Sequence, residues 1–241
     1  MPGNVFGNVM VLLCLEASVL EVCLAICFVG TSIFVSINLY TSELSVQSHL
    51  FRLLLLTKPG FDGKVAAIKY ARESKTPFLG VCLGMQACVI ECARNVLGRP
   101  AAHSSEFVDG LAKDYDDCVI FMPEGDRDRM GGTMRLGARE TILKDGSIAR
   151  MVYGKERVME RHRHRYEVNP ALVPALEAAG LFFTGRNTDG SGQRMEICEL
   201  DPHIHPYFVA SQFHPEFTSR PETPNPLFHG LLQASKDHAN K

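Results

Sequence analysis

The hydrophobic and polar positions divide the chain near Thr57 into two parts. Residues 1–57 are apolar and almost uncharged, whereas the rest alternates short apolar runs with stretches of helical spacing. For example, Val65, Ile68 and Ala71 recur at the spacing of one helix face. We therefore interpret residues 1–57 as an atypical apolar segment and residues 58–241 as a domain of ordinary composition.

The second part predicts strands that alternate with helices. Strands are predicted at 52–56, 77–81, 118–122, 181–184, 194–200 and 207–213, and helices at 64–74, 84–97, 170–179 and 227–235. Strand 194–200 alternates and is expected to be half exposed, while 58–63 is predicted as a turn and 124–137 as a mobile loop. The order predicts an α/β fold with a mostly parallel central sheet flanked by helices.

The N-terminal segment contains an uncharged run from Val22 to Tyr40. This is near the lower limit for a membrane-spanning helix, which needs roughly 17–25 apolar residues. No Lys or Arg precedes Arg52, so the run is not typical of a signal peptide. A buried helix or pair of strands is the first interpretation, and membrane association through residues 22–40 or a non-native N-terminus are the alternatives.

Composition excludes several classes of protein. The formal net charge of -2 argues against a dedicated nucleic-acid binder. Eight irregularly spaced cysteines without a C-x-x-C pair fit neither a disulfide scaffold nor a zinc ribbon. A reduced, cytoplasmic compartment is therefore expected.

The sequence around Cys82 predicts a nucleophile. An apolar strand runs directly into Gly80-x-Cys82-x-Gly84 and then into a helical pattern, which is the arrangement of a nucleophile elbow with cysteine in place of serine. The helix N-terminus favours a thiolate, and the N–H of Leu83 is expected to stabilise an oxyanion. The motif alone fits a buried cysteine beside a tight turn equally well, but the flanking strand and helix favour the nucleophile. The remaining cysteines are interpreted as structural: Cys14, Cys23, Cys27, Cys88, Cys92, Cys118 and Cys198.

A candidate base follows the last predicted strand. His214 and Glu216 are two residues apart, so both side chains can project to the same side. A carboxylate bonded to an imidazole fixes its tautomer and stabilises the imidazolium. A surface histidine beside a glutamate is the alternative, and the position of the pair after an apolar strand favours the catalytic interpretation.

Two motifs, P-F-L-G-V-C-L-G-M-Q at 77–86 and Q-F-H-P-E-F at 212–217, resemble the motif pair of class I glutamine amidotransferases. Stretches at 66–73, 130–137, 160–169 and 217–221 narrow the resemblance to the CTP synthase family, and it extends from about residue 63 to residue 234. The resemblance implies a class I amidotransferase fold and a Cys82, His214, Glu216 triad that hydrolyses glutamine.

The same resemblance implies the residues that bind glutamine. Leu83, Gly84, Met85 and Gln86 match contacts beside the nucleophile, Glu106 matches the carboxylate that recognises the α-amino group, and Arg165 matches a further contact. The family's second oxyanion loop is shortened here to Pro59–Gly63, so Gly60 and Phe61 are its best surviving equivalents. Losing an oxyanion donor costs about 10²–10³ in rate.

The resemblance also bears on cofactors and partners. No cofactor is expected in this domain, because ATP, Mg²⁺ and UTP are used by a synthetase domain that this sequence does not contain. GTP is a possible effector through residues 131–137, and the expected partners are L-glutamine, a synthetase domain and possibly further copies of the chain. Two alternatives stay open: another class I amidotransferase or γ-glutamyl hydrolase, and a catalytically impaired remnant that binds CTP synthase and modulates it.

The basic run from Arg161 to Arg165 has alternatives of its own. It could form a phosphate or nucleic-acid patch, and His162 with His164, or His203 with His205, could ligate a metal. Because no cysteine or carboxylate cluster accompanies these histidines in the sequence, we expect no metal and no nucleic-acid partner.

Overall fold

The computed structural model describes residues 61–107, 115–122, 134–189 and 192–240, together with the backbone of three N-terminal strands. The predictions for strand 52–56 and for residues 124–133 of the loop lie outside these residues, as does Gly60.

In the described part of the chain, twelve strands form two sheets. The strands are β1 (Val9–Glu16), β2 (Glu21–Val29), β3 (Ser32–Ile37), β4 (Phe78–Val81), β5 (Ala102–Ser104), β6 (Asp116–Phe121), β7 (Arg135–Leu143), β8 (Arg157–His164), β9 (Tyr166–Val168), β10 (Leu181–Asp189), β11 (Gly192–Leu200) and β12 (Phe208–Ser211). The large sheet has nine strands in the order β3-β2-β1-β4-β12-β11-β10-β7-β8, and the small one has three in the order β5-β6-β9.

Parallel pairing in the large sheet is confined to its centre. β4 pairs in parallel with β1 on one side and with β12 on the other. The outer pairs are antiparallel, so the sheet is mixed rather than mostly parallel. The carboxyl ends of β4 and β12 therefore meet at one edge, which is where the predicted nucleophile and base lie.

Helices cover the sheet. They are α1 (Phe61–Ser74), α2 (Leu83–Asn95), α3 (Ile148–Tyr153), α4 (Val173–Ala178) and α5 (Pro226–Ala239), with 3-10 turns at Pro170–Leu172 and Pro215–Phe217. The predicted boundaries shift by a few residues, most notably for α1, whose first turn occupies Phe61–Gly63 where a turn was expected. Asn225 caps α5 by accepting a hydrogen bond from the N–H of Leu227.

Alternate residues of the central strands lie in two different hydrophobic cores. Phe78 and Phe208 lie on one face, with ring centroids 4.7 Å apart, in the core shared with α1 and α2. Leu79 and Val209 lie in the second core, with α3 and α5. This alternation is the period of two expected of strands that are covered on both faces.

The N-terminal strands extend the central sheet. β1 pairs in parallel with β4 from Met10 opposite Phe78 to Leu13 opposite Val81. β2 and β3 follow as an antiparallel meander. The strand interpretation of the apolar run therefore agrees with the backbone, and no helix in the described part of the chain is long and apolar enough to span a membrane.

Two further predictions were wrong. Residues 135–137 are not loop but the start of β7, paired with β8 from Arg135 opposite His164 onwards. Strand 194–200 is not half exposed, because β11 lies between β10 and β12 and its polar side chains are buried. Each of these polar groups has a buried partner: Arg194 pairs with Glu167, Glu196 with Arg135, and Glu199 accepts hydrogen bonds from the N–H groups that begin α3.

Candidate active site

Cys82 occupies a strained turn between β4 and α2. Its backbone has φ 53° and ψ -104°, a conformation that a non-glycine residue rarely adopts. The two flanking glycines make the turn possible, because a Cβ on Gly80 would lie 3.0 Å from both the Cβ of Ala210 and the carbonyl carbon of Gly84. The geometry is that of a nucleophile elbow, with the sulfur at the N-terminus of a 13-residue helix.

The sheet register brings the base to the nucleophile. β12 runs beside β4 with Ser211 opposite Val81, and the N–H of Cys82 donates to the carbonyl of Ser211 over 2.7 Å. The chain then continues through Gln212 to His214 at the same edge. Neighbouring parallel strands therefore deliver the sulfur and the imidazole to one place.

The buried His214 pairs with the partly buried Glu216. Nδ1 of His214 lies 2.7 Å from Oε1 of Glu216. Since an ionised carboxylate only accepts hydrogen bonds, Nδ1 carries the proton and Nε2 keeps its lone pair. Nε2 is buried and has no hydrogen-bond partner among the described residues. This tautomer is the one that a general base requires.

Strand β8 holds both halves of the site in place. The N–H of His214 donates to the carbonyl of Arg161 over 2.8 Å, and Sγ of Cys82 lies 4.0 Å from the carbonyl oxygen of Arg163. The side chains of this strand alternate between solvent and interior along its whole length, from Arg157 to His164. One strand thus contacts the nucleophile and the base through its backbone.

A buried carboxylate anchors the turn that carries Glu216. Glu160 accepts hydrogen bonds from the hydroxyl groups of Tyr153 and Thr218 and from Nδ2 of Asn225, at 2.7–2.8 Å. Thr218 follows the 3-10 turn directly. Burial raises the pKa of Glu160, and the three donors oppose that shift.

The first turn of α2 offers backbone donors beside the sulfur. The N–H groups of Met85 and Gln86 both donate to the carbonyl of Cys82. Leu83 and Gly84 precede them, so their N–H groups have no acceptor within the helix. These are the donors that an oxyanion next to Cys82 would need.

Gln86 is buried, and its side-chain amide already makes hydrogen bonds within the protein. Its Nε2 lies 3.1 Å from the carbonyl oxygen of Tyr166 and 3.3 Å from Oε1 of Gln212. Its Oε1 is buried with no partner in the described residues. Only this oxygen is therefore left for the substrate contact that the sequence predicts.

The two other residues that are predicted to contact glutamine lie next to strands of the small sheet. Glu106 follows β5 and Arg165 precedes β9, and both strands pair with β6. Arg165 lies between two residues that reach the site, Arg163 beside Cys82 and Tyr166 beside Gln86. Their contact with glutamine stays a prediction.

Phe61 lies beside the segment that carries Glu106. Its ring packs against those of His103 and Phe107, with centroids 5.8 and 5.1 Å apart. Phe61 begins α1 and its side chain is buried. Its predicted role as an oxyanion donor stays a prediction.

Comparison with known proteins decides the family. The family model described as "Glutamine amidotransferase class-I" matches residues 56–234. The chain belongs to the class I glutamine amidotransferases. Within that family it is 54% identical over 177 residues to "CTP synthase" of Haloarcula marismortui, and 51% identical over 181 residues to "CTP synthase 2" of Saccharomyces cerevisiae. Each match covers 73% of this chain and 31% of the relative, so the chain spans about a third of these relatives' length.

A solved structure supports the same family. The amidotransferase resembles "Trypanosoma brucei CTPS - glutaminase domain with bound acivicin", with a TM-score of 0.68 and 38% identity over 78% of this chain and 74% of that one. The class I fold predicted from the two motifs is thereby confirmed.

The other described thiols of the amidotransferase differ from Cys82. Cys88, Cys92, Cys118 and Cys198 are buried in the core. Burial raises the pKa of each thiol, to about 12 for Cys92 and about 11 for Cys118. Such thiols are poor nucleophiles, as their structural interpretation expects.

The basic run is not a continuous basic patch. In β8, Arg161 and Arg163 are exposed while His162 and His164 are buried. Alternation along a strand therefore separates the cations from the imidazoles.

The two buried histidines form a cluster with Glu196. Their potential ligand atoms and those of Glu196 all lie within 4.8 Å of one another. Nδ1 of His164 lies 3.0 Å from the carbonyl oxygen of Tyr166, so it donates there, and its Nε2 accepts from Nδ1 of His162 at 3.1 Å. Arg135, 3.1 Å from Glu196, already supplies a positive charge and disfavours a cation. In the second pair considered as metal ligands, both ring nitrogens of His205 already bond backbone groups, so this imidazole has no free nitrogen for a metal.

Sequence reasoning missed two residues of this site. Gln212, whose Nε2 lies 3.6 Å from Sγ of Cys82, is the first residue of the Q-F-H-P-E-F motif, which is the signal that could have found it. Glu160 is the first residue of the 160–169 stretch, but that stretch does not reveal its partners, which lie 7 to 65 positions away.

Proposed function

We propose that the chain is a glutaminase that uses Cys82, His214 and Glu216 to release ammonia from L-glutamine. The observation that carries this proposal is the meeting of the strained Cys82 turn and the His214–Glu216 pair at the shared edge of β4 and β12.

The chemistry divides into two steps. His214 takes the proton of the Cys82 thiol, the sulfur attacks the side-chain amide carbon of glutamine, and the N–H of Leu83 stabilises the oxyanion. His214 delivers a proton to the departing nitrogen, so that ammonia leaves and a thioester remains. Water, deprotonated by His214, then hydrolyses the thioester and returns glutamate and the thiol. Glu216 holds His214 in the required tautomer throughout.

The destination of the ammonia follows from the resemblance to CTP synthases. A synthetase domain that uses ATP, Mg²⁺ and UTP would consume the ammonia to form CTP, with GTP as a possible effector. We infer that this chain supplies the glutaminase half of that reaction in the cytoplasm, in an assembly that contains a synthetase domain and further copies of the chain.

The test is glutamate release from glutamine by the purified chain. Wild type is compared with Cys82→Ala, and Cys92→Ala is the matched control because Cys92 is a buried thiol in the same helix. Release that disappears in Cys82→Ala and persists in Cys92→Ala is expected, because only Cys82 lies at the strained turn.

Each assay is repeated with a separately purified synthetase domain and with GTP. A folded wild-type chain that releases no glutamate under any of these conditions would overturn the proposal. If that chain still bound the synthetase domain, the modulating remnant would be the better interpretation.

A further inference from the structure

Gln212 brings a side-chain amide to the sulfur of Cys82. Its Nε2 lies 3.6 Å from Sγ of Cys82, within the range of an N–H···S hydrogen bond. The residue is 1% exposed, so solvent does not compete for the amide. Its backbone is fixed as well, because its N–H donates to the carbonyl of Glu196 over 2.8 Å. The contact is therefore part of a built site rather than an incidental approach.

The orientation of this amide follows from its neighbours. Gln86 lies 3.1 Å from the backbone carbonyl of Tyr166, which can only accept, so Gln86 must present its NH₂ group there. The same NH₂ group lies 3.3 Å from the end of the Gln212 side chain, which must therefore be the oxygen. The remaining end of the Gln212 amide, its NH₂ group, then faces the sulfur. A fixed backbone carbonyl thus determines which end of Gln212 meets Cys82.

We propose that Gln212 is a catalytic residue that donates an N–H to the Cys82 thiolate and stabilises it, with Gln86 as the positioning residue that orients Gln212. A hydrogen bond donated to the charged form of an acid favours that form. Bonds to charged groups are also stronger than bonds between neutral groups. Gln212 therefore adds a side-chain donor to the contribution of the helix N-terminus at the same sulfur. The proposal deepens the proposed function, on which its catalytic meaning rests.

The test is a thiolate titration that needs no substrate. The ultraviolet absorbance of the thiolate is followed against pH, and the curve of the matching Cys82→Ser protein is subtracted to isolate Cys82. In Gln212→Leu the midpoint is expected to rise by about one pH unit, because a donor to the anion has been lost. In Gln86→Leu a smaller rise is expected, because Gln212 keeps its amide but loses the group that orients it.

Two further variants separate the bond from a general effect on packing. Gln212→Asn keeps a buried amide but is one methylene shorter, so it should raise the midpoint almost as much as Gln212→Leu. Gln233→Leu is the matched control, because Gln233 is an exposed residue of α5 that bonds Asp237. Its midpoint should equal that of wild type.

An unchanged midpoint in Gln212→Leu or Gln212→Asn, in protein with the circular dichroism of wild type, would overturn the proposal. If Gln212→Leu fails to fold, Gln212→Asn decides alone, since it retains a polar side chain of similar volume. Because the titration reads the resting thiol, an absence of glutaminase activity in wild type would contradict the proposed function and leave the donor bond separately measurable. A rise in midpoint combined with unchanged glutamate release would limit Gln212 to the resting thiol and overturn its catalytic role.

Discussion

Two buried histidines of this molecule each face a glutamate, and only one pair is suited to catalysis. In both His214 and His162, Nδ1 faces the carboxylate, at 2.7 Å from Glu216 and 3.6 Å from Glu196. In both, Nε2 is buried without a hydrogen-bond partner among the described residues. The bonds of the two Nδ1 atoms differ, however, because Nδ1 of His214 bonds Glu216 whereas Nδ1 of His162 donates to Nε2 of His164 at 3.1 Å.

The charges around the two pairs distinguish them further. Arg135 lies beside Glu196 and adds positive charge near His162. Burial and this nearby charge lower the pKa of His162 to about 2 and that of His164 to about 3. An imidazole held neutral in this way cannot accept the proton that a catalytic base must carry. His214 instead follows the end of β12, which lies beside the end of β4 that precedes Cys82, and Glu216 can stabilise its imidazolium.

The largest difference between the pairs should appear in the rate of glutamate release. His214→Gln is expected to lower kcat by about 10²–10⁴, because it removes the general acid and base. His162→Gln, which leaves the triad intact, should lower kcat by less than about tenfold. The comparison is measured by steady-state kinetics on folded protein, and equal losses in the two variants would show that His162 also takes part in proton transfer.

The Glu196 cluster should matter more for the stability of the fold than for the rate of glutamate release. Glu196→Ala removes the carboxylate that neutralises the buried Arg135, and breaking such a pair costs about 3–5 kcal/mol. Denaturant unfolding measures the loss. The matched control is Glu140→Ala, on the same strand as Arg135, whose partner Arg157 is about half exposed, and its loss should be below about 1 kcal/mol. Similar losses at the two positions would mean that the buried cluster adds no more stability than a surface ion pair.

Measured per pH unit, the smallest expected effect is on the pH dependence of stability. The pKa values of His162 and His164 are lower in the folded chain than the ordinary 6.5, so on acidification the unfolded chain takes up protons that the folded chain does not. Their contribution to stability is present above about pH 6.5 and is lost as the pH falls below it. Replacing both by Gln should reduce the slope of unfolding free energy by about 1.4 kcal/mol per pH unit for each histidine.

The measurement is a series of denaturant titrations from about pH 7 to about pH 4. Glu196 acts in the opposite sense, because burial raises its pKa to about 7, and the stability linked to that proton is lost as the pH rises. All the variants compared retain Glu196, so a difference in slope between them reports the contribution of the two imidazoles. His203→Gln, at an exposed position, serves as the control, and a double variant with the slope of wild type would contradict the assignment.

The sequence predicts the triad because its signals are local. The Cys82 turn needs only a strand, two glycines and a helix in succession, and His214 and Glu216 are two residues apart. The cluster around Glu196 was not predictable in this way, because Arg135, His162 and Glu196 come from three strands and meet only in the folded sheet. The bond from Gln86 to Gln212 joins residues 126 positions apart.

The same reasoning explains the errors in the fold. Alternating polar residues in 194–200 suggested exposure, but Arg194, Glu196 and Glu199 are buried with charged or backbone partners. Composition near residue 135 suggested a loop, although residues 135–137 pair with β8. The alternation of buried and exposed side chains in β8 is not evident in the sequence, because its buried and exposed positions both carry basic or histidine residues. Burial of charges depends on partners from elsewhere in the chain, which a local pattern does not contain.

The backbone contacts of β8 have a consequence for how this sequence can vary. The carbonyl groups of Arg161 and Arg163, rather than their side chains, meet the base and the nucleophile. Substitution of either exposed arginine leaves those carbonyl groups where they are. Insertion or deletion of a single residue between them would shift the strand register by one residue. The two carbonyl groups would then no longer both reach their partners, and the buried imidazoles would turn toward solvent. This stretch should therefore tolerate changes of residue type at its exposed positions but not changes of length.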